Sequence, residues 1–336
     1  MSASASGPRS RLRTLAGNLA VAAAAIVLFA AVVEATLRLV GFRYVLYPRD
    51  VEFGRPDPVM LATGFEEDQD VFWVRRDYAS TLERLRSDPA ALIFLGDSCT
   101  HLGDYDDELA RLVEQRRGET LSYGNLAVAG WSSYQGRRQL ERDVLPLKPR
   151  VVTLYFGWND HWIGFGIEDK NVALVKRVFS SDWSRSRIVQ LATKATVAMG
   201  ARRTAYPNRV SLDDFRDNLR TMVREARSAA IRPLLITAAS THVEGEEPPE
   251  LAERWLRDLS ELVPLHQSYV AAVREIAAAE DADLCDAEAH FSKLPRGELR
   301  TLFQDDGIHL TPAGDRRLAE VLYGCFEEAG ILEEIL

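Results

Sequence analysis

A serine in Gly96-Asp97-Ser98, and an aspartate and a histidine in Asp306-x-x-His309, are the residue types that together hydrolyse esters and amides. A serine hydroxyl is a weak nucleophile unless a base within hydrogen-bond reach takes its proton. The base in turn needs a partner that orients its ring and stabilises its charged form. In a tight loop Asp306 can bond Nδ1–H of His309 and leave Nε2 facing Ser98. Asp305 adjoins Asp306, but the two-residue gap to His309 favours Asp306 and leaves Asp305 as a solvated loop charge. The oxyanion that forms on attack needs donors. The Ser98 N–H, a backbone N–H at Gly130 and the side-chain amide of Asn159 are the candidates, and one such donor is typically worth roughly 2.7–4 kcal/mol in the barrier.

These groups need rigid carriers. Residues 91–95 form an apolar run that stops at Gly96, as a buried strand of a parallel sheet does. A serine at the C-terminal end of such a strand sits where open α/β sheets bind ligands. Taken alone, Gly-Asp-Ser more often supplies a helix cap than a nucleophile. It is the Asp306/His309 pair that shifts the balance. Downstream, strands and helices alternate, the pattern of an α/β domain with a parallel sheet. Strands are predicted over 91–96, 120–128, 150–156, 233–238 and 282–287. Helices are predicted over 104–117, 133–144, 212–230 with Ser211 as cap, 251–279 broken at Pro264, and 312–328 with Pro312 in its first turn.

The N-terminus is of another kind. Residues 1–14 carry Arg9, Arg11 and Arg13 and no acidic residue, and residues 15–33 form a nearly unbroken apolar stretch within an anchor read over 15–37. Roughly 20 apolar residues suffice to cross a bilayer. The preceding arginines place the N-terminus in the cytoplasm, so the rest of the chain is extracytoplasmic. An uncleaved single-pass anchor is favoured over a signal peptide cut near Ala35, because the apolar run is long and Glu34 and Arg38 continue the helix. Residues 38–87 read as an irregular neck with Tyr44, Tyr47, Pro48, Pro56, Pro58 and the patch Val71-Phe72-Trp73-Val74, and residues 88–336 as the main domain. Within it, residues 161–209 are too long for a simple connector and are read as a lid or a helical decoration.

The four fragments together resemble an SGNH hydrolase of the GDSL esterase/lipase superfamily. Gly96-Asp97-Ser98-Cys99-Thr100 is similar to the first family block and Asn125 to Gly130 to the second. Gly157-Trp158-Asn159-Asp160 is similar to the third, and Asp306 to Gly314, through His309-Leu310-Thr311-Pro312, to the last. The resemblance spans residues 88–330. It implies a flavodoxin-like three-layer α/β/α fold with a five-stranded parallel sheet, Ser98, Asp306 and His309 as catalytic residues, and Ser98, Gly130 and Asn159 around the oxyanion. It implies no metal and no cofactor. The chain departs from the pattern at Asp160-His161-Trp162 and in the 161–209 insert.

Other readings bound the function. A net charge of −9 argues against nucleic acid. The three cysteines, Cys99, Cys285 and Cys325, lack metal-site spacing, while a Cys285–Cys325 bridge stays open. Trp131, Trp158, His161 and Trp162 are candidate substrate contacts, His161 also reading as a packed structural ring. His101 reads as a surface or supporting residue, and His242, His266 and His290 as ordinary ones. The expected activity is hydrolysis of O-acyl, chiefly acetyl, esters on an extracytoplasmic glycan or lipid-like substrate. An O-acyltransferase with the same triad and a non-catalytic envelope-binding protein are the alternatives.

Overall fold

The structure is a computed structural model, and it describes residues 8–44, 63–163, 168–172, 185–204, 207–249, 251, 256 and 258–336. Tyr47, Pro48, Pro56 and Pro58 of the expected neck, and Phe165, Phe179 and Trp183 of the insert, lie outside the described residues. The chain divides into two compact units: residues 1–47 with 175–199, and residues 48–174 with 200–336.

In the first unit a single helix runs from Pro8 to Leu39, and its segment Gly17–Leu39 has mean hydropathy 2.3 and is long and apolar enough to cross a membrane. Part of the insert belongs to this unit, as the helix that starts at Arg187. The Glu34 carboxylate accepts the N–H groups of Arg187 and Ile188, each at 3.0 Å, and the Ser186 hydroxyl at 3.0 Å. A carboxylate there satisfies donors that a helix N-terminus cannot pair internally. This segment of the insert is therefore tied to the apolar helix.

The second unit holds the sheet. Strands β1 (Phe65–Asp68) and β2 (Phe72–Arg75) form an antiparallel hairpin. Strands β3 (Leu92–Gly96), β4 (Tyr123–Asn125), β5 (Val151–Tyr155), β6 (Arg232–Ile236) and β7 (Asp283–Cys285) form one parallel sheet in the order β4-β3-β5-β6-β7. Every residue of β3 and β5 is buried, as strands covered on both faces must be. Their side chains alternate between two cores. Leu92, Phe94, Val151, Tyr155, Leu234 and Ile236 share one cluster with the helices Tyr105–Arg117 and Pro312–Glu328. Ile93, Leu95, Val152, Leu154 and Leu235 point the other way, toward helices such as Leu212–Ser228. That helix buries Phe215, Leu219, Met222, Val223 and Ala226, one apolar stripe, and Ser211 caps it by accepting the Asp214 N–H at 3.2 Å.

Several boundaries differ from the sequence reading. The second strand is only three residues long, because it is the sheet edge. Beyond Asn125 only the N–H groups of Leu126 and Val128 still reach β3 carbonyls, at 3.0 and 3.2 Å. Pro264 does not break a helix. The helix begins at Leu262, so Pro264 sits in the first turn, where a missing N–H costs nothing. Residues 65–87 are not irregular but form a hairpin and the helix Tyr78–Ser87, with Phe72, Trp73, Tyr78, Leu82 and Leu85 buried in the unit.

Cys285 and Cys325 form a disulfide that joins β7 to the last long helix across 40 residues of sequence. Constraining a loop of that length removes unfolded-state entropy worth about 4 kcal/mol. The Cys285→Ser/Cys325→Ser variant is therefore expected to melt at clearly lower temperature, and reductant is expected to lower the wild-type midpoint but not the variant's. Equal midpoints for the two proteins in oxidising buffer would contradict this.

Candidate active site

The site lies at the C-terminal ends of β3, β4 and β5, where the strand order reverses. This is the place at which open α/β sheets leave a crevice. Strand β3 ends at Gly96, where a Cβ would fall inside the Thr100 side chain, so only glycine lets the next turn close. Asp97 caps that turn, its Oδ1 accepting the Cys99 N–H at 2.9 Å. Ser98 thus becomes the first residue of the helical turn Ser98–His101 and keeps its side chain half-buried beside solvent.

The loop before the last long helix carries the other two groups. Asp306 Oδ1 accepts the N–H groups of Ile308 and His309 at 2.9 and 3.0 Å. Its Oδ2 lies 2.5 Å from Nδ1 of His309, and Nε2 of that ring lies 2.8 Å from Ser98 Oγ. Because a carboxylate only accepts, Nδ1 carries the proton and Nε2 is free to accept from the serine hydroxyl. Asp305 is exposed and takes no part in this chain of bonds. From the next strand end, His242 Nε2–H donates to the Asp306 carbonyl at 2.8 Å and steadies the loop.

Electrostatics follow from this geometry. Burial opposes charge on His309, but the Asp306 hydrogen bond, the Asp306 charge and the more distant Asp97 outweigh it and raise the ring pKa above 6.5. For Asp306, burial pushes the carboxyl pKa up, yet the His309 ring and the two loop N–H groups win and lower it. If His309 is the base of an ester hydrolysis it acts only when neutral, and kcat/KM is then expected to rise with pH through an apparent pKa above 6.5 and level off. A profile flat from pH 5.5 to 8 would contradict this.

Three candidate donors, the Ser98 N–H, the Gly130 N–H and the Asn159 side-chain amide, follow the ends of three neighbouring strands. Asn159, just after β5, is buried, and its Nδ2 gives one hydrogen to Asp97 Oδ2 at 3.1 Å, leaving a second for a ligand. Gly130 has φ 78°, a conformation that disfavours a side chain. Among the described residues, neither the Ser98 N–H nor the Gly130 N–H has a protein acceptor. The loop bearing Gly130 is held from outside: His101 Nδ1 accepts the Ala129 N–H at 3.0 Å. Burial first, then Arg75, pushes the His101 pKa down to about 4, which keeps the ring neutral and able to accept.

Other residues that the sequence singled out fall elsewhere. Trp131, Trp158, His161 and Trp162 were expected as substrate contacts, but their side chains are 0–4% exposed and offer no face to a sugar ring. Trp131 donates through Nε1 to the Trp73 carbonyl. Trp158 stacks on His266 with centroids 3.8 Å apart. His161 bonds through Nε2 to His266 Nδ1 at 3.2 Å, and His266 Nε2–H donates to the Ala238 carbonyl. Burial holds both imidazoles neutral, with His266 pushed down to about 3. This cluster packs behind the site and fixes the chain after β5. Cys99 is buried too, and burial followed by the Asp97 charge pushes its thiol pKa well up, so it is no substitute nucleophile.

Four residues near the site carry no motif: Trp73, Asp169, Arg209 and His242. Arg209 and Asp169 form a fully buried ion pair, 2.8 Å from Nη2 to Oδ2, at the base of the insert, and Arg209 Nη1 donates to the Gly130 carbonyl at 2.7 Å. The base itself is a short antiparallel stem in which Ile163 pairs with Asn208. An arginine and an aspartate 40 residues apart give no sequence signal of their pairing.

Residues 94–317 match the GDSL-like lipase/acylhydrolase family. Over 272 residues the chain is 22% identical to the uncharacterized lipoprotein YqeF of Bacillus subtilis (strain 168), covering 72% of this chain and 90% of that protein. Among solved structures it is similar to the lipase/acylhydrolase from Enterococcus faecalis, at 19% identity over 71% of this chain and 96% of that one, with a TM-score of 0.47. It is also similar to Axe2, an acetylxylan esterase from Geobacillus stearothermophilus, at 18% identity over 70% and 94% of the two chains, with a TM-score of 0.45.

Proposed function

The chain belongs to the GDSL-like lipase/acylhydrolase family, and on that premise we propose that it is a membrane-tethered serine ester hydrolase acting outside the cytoplasm. The observation carrying this reading is the unbroken chain of hydrogen bonds from Ser98 Oγ through His309 to Asp306, at 2.8 and 2.5 Å. In it Ser98 Oγ attacks the ester carbonyl carbon while His309 Nε2 takes its proton. Asp306 holds the Nδ1–H tautomer and balances the imidazolium charge. The Ser98 and Gly130 N–H groups and the remaining Asn159 amide hydrogen receive the oxyanion. His309 then returns its proton to the departing alcohol, leaving an acyl-serine. Water, deprotonated by the same ring, hydrolyses it and regenerates Ser98.

Three features support the location. Arginines and no acidic residue precede the apolar segment, a bias that favours a cytoplasmic N-terminus. The Cys285–Cys325 disulfide suits an oxidising compartment. The segment Gly17–Leu39 is long enough to serve as the anchor. The second compact unit, residues 48–174 with 200–336, is then the hydrolase unit. A catalytic site outside the cytoplasm and tied to the membrane meets O-acylated envelope glycans, and acetyl on such a glycan is the proposed substrate. The test is acetate release by the full chain in detergent from an O-acetylated polysaccharide, beside p-nitrophenyl esters of two to sixteen carbons. Acetate release with fading activity on the longer esters is expected. Turnover of the long-chain esters alone would overturn the glycan assignment. No turnover of any ester would overturn the hydrolase reading, provided Ser98 also fails to react with a fluorophosphonate probe.

A further inference from the structure

Trp73 stands outside the residues matched by the family, in the hairpin β1–β2, yet its indole reaches the loop that presents Gly130. Trp73 Nε1 donates to the Ala129 carbonyl at 3.0 Å. That carbonyl and the Gly130 N–H belong to one peptide unit. In a trans peptide the two point in opposite directions, so fixing one fixes the other. The rest of the loop is equally committed. The Ala129 N–H goes to His101 Nδ1, the Gly130 carbonyl accepts from Arg209, and the Trp131 N–H closes back onto the Val128 carbonyl at 3.2 Å. Of the polar backbone groups between the Val128 carbonyl and the Trp131 N–H, the Gly130 N–H alone is left without a protein acceptor among the described residues. Gly130 is half-buried, so its N–H, uncommitted within the protein, stays open to solvent and to a ligand.

The hairpin is built to hold the indole in place. Phe72, immediately before Trp73, has φ 75°, a strained conformation for a large side chain, and it is held there by burial and by stacking on Tyr134 at 6.0 Å. The Trp73 carbonyl is itself gripped by Trp131 Nε1–H at 2.9 Å, and the Arg209 guanidinium lies 5.8 Å from the Trp73 ring. Trp131 thus holds the Trp73 backbone while the Trp73 indole holds the carbonyl of Ala129, two residues before Trp131.

Resting on the role proposed above for the Gly130 N–H, we propose that Trp73 is a positioning residue of the oxyanion site: its indole N–H sets the plane of the Ala129–Gly130 peptide and so aims the free N–H at the developing oxyanion. The role is one of aim and not of binding, so it acts in the transition state and leaves the ground state alone.

The deciding experiment uses the full chain with Trp73 replaced by 3-benzothienylalanine, which keeps the ring shape and exchanges the N–H for sulfur. Trp73→Phe, Asn159→Ala and Ser98→Ala are run beside it on p-nitrophenyl acetate. The expected result is a fall in kcat of about tenfold to a hundredfold for the benzothienyl protein, with KM within about twofold and the melting midpoint little changed. Trp73→Phe is expected to lose at least as much. If Asn159→Ala loses activity while the benzothienyl protein keeps wild-type kcat, the inference about Trp73 is overturned and the oxyanion reading stands. If Ser98→Ala keeps its activity, the site reading falls and takes this inference with it. A loss confined to KM would also overturn the positioning role.

Discussion

Ser98→Ala is expected to fold as the wild type does and to lose hydrolysis of an activated acetyl ester by on the order of 10^5-fold or more in kcat. The size follows from the absence of any deputy. Cys99 is adjacent, but its thiol is buried, its pKa is raised well above 9, and it lies 3.8 Å from the Ile308 carbonyl, away from solvent. Among the described residues His309 Nε2 bonds to Ser98 Oγ alone, at 2.8 Å, so removing that oxygen leaves the base with water to activate. What survives would be the effect of the oxyanion donors on adventitious water, which in other serine hydrolases is a small remnant. Fold is checked by the melting midpoint, since Ser98 Oγ is half-buried and contributes little packing. Activity within tenfold of wild type in a well-folded Ser98→Ala protein would mean that another group attacks the ester.

Asp306→Asn comes second, with kcat expected to fall by about 10^4-fold. The carboxylate does two things here that an amide cannot both do. Its Oδ1 accepts the loop N–H groups of Ile308 and His309, and its Oδ2 accepts Nδ1–H of His309. An asparagine that keeps the loop bonds through its oxygen turns its NH2 toward the imidazole. This favours the tautomer with the proton on Nε2, the atom that must accept from Ser98. The variant also removes the charge that raises the His309 pKa, so its residual activity is expected to show an acid limb shifted to lower pH. The pair of readouts separates this from partial unfolding, because a smaller folded fraction would lower kcat and leave the limb where it was. A loss below tenfold would hand the orienting role to another residue.

Much of this site is legible in the amino-acid sequence. Ser98 follows a short apolar run and a glycine, and Asp306 and His309 are three residues apart, so each unit is a local device whose geometry depends on a few neighbouring dihedrals. Local devices of this sort are written in adjacent residue types: the Gly96 turn, the Asp97 cap, and the tight Asp306–His309 loop. The strands beneath them announced themselves by composition, because β3 and β5 are buried on both faces and read as continuous apolar runs. The edge strand β4 read as three times longer than it is, since an apolar segment can lie against a sheet without completing its ladder.

What the sequence alone determined, then, was the family and the layered α/β frame, together with an apolar N-terminal helix of membrane-spanning length, and it named the residues proposed to carry the chemistry. The tertiary structure decided the rest. It turned the tryptophans after β4 and β5 inward, so that they pack the frame and present no face to substrate. It built part of the neck into the fold and brought Trp73 to the Ala129 carbonyl, and it paired Arg209 with Asp169 behind Gly130. The physical reason is one of range. A hydrogen bond between residues 56 or 79 positions apart depends on how whole elements pack. An aromatic side chain carries the same letter whether its ring closes a core or lines a cleft. Burial, and the peptide plane that Trp73 holds, are properties of the packed sheet and its loops, and no window of the sequence contains them.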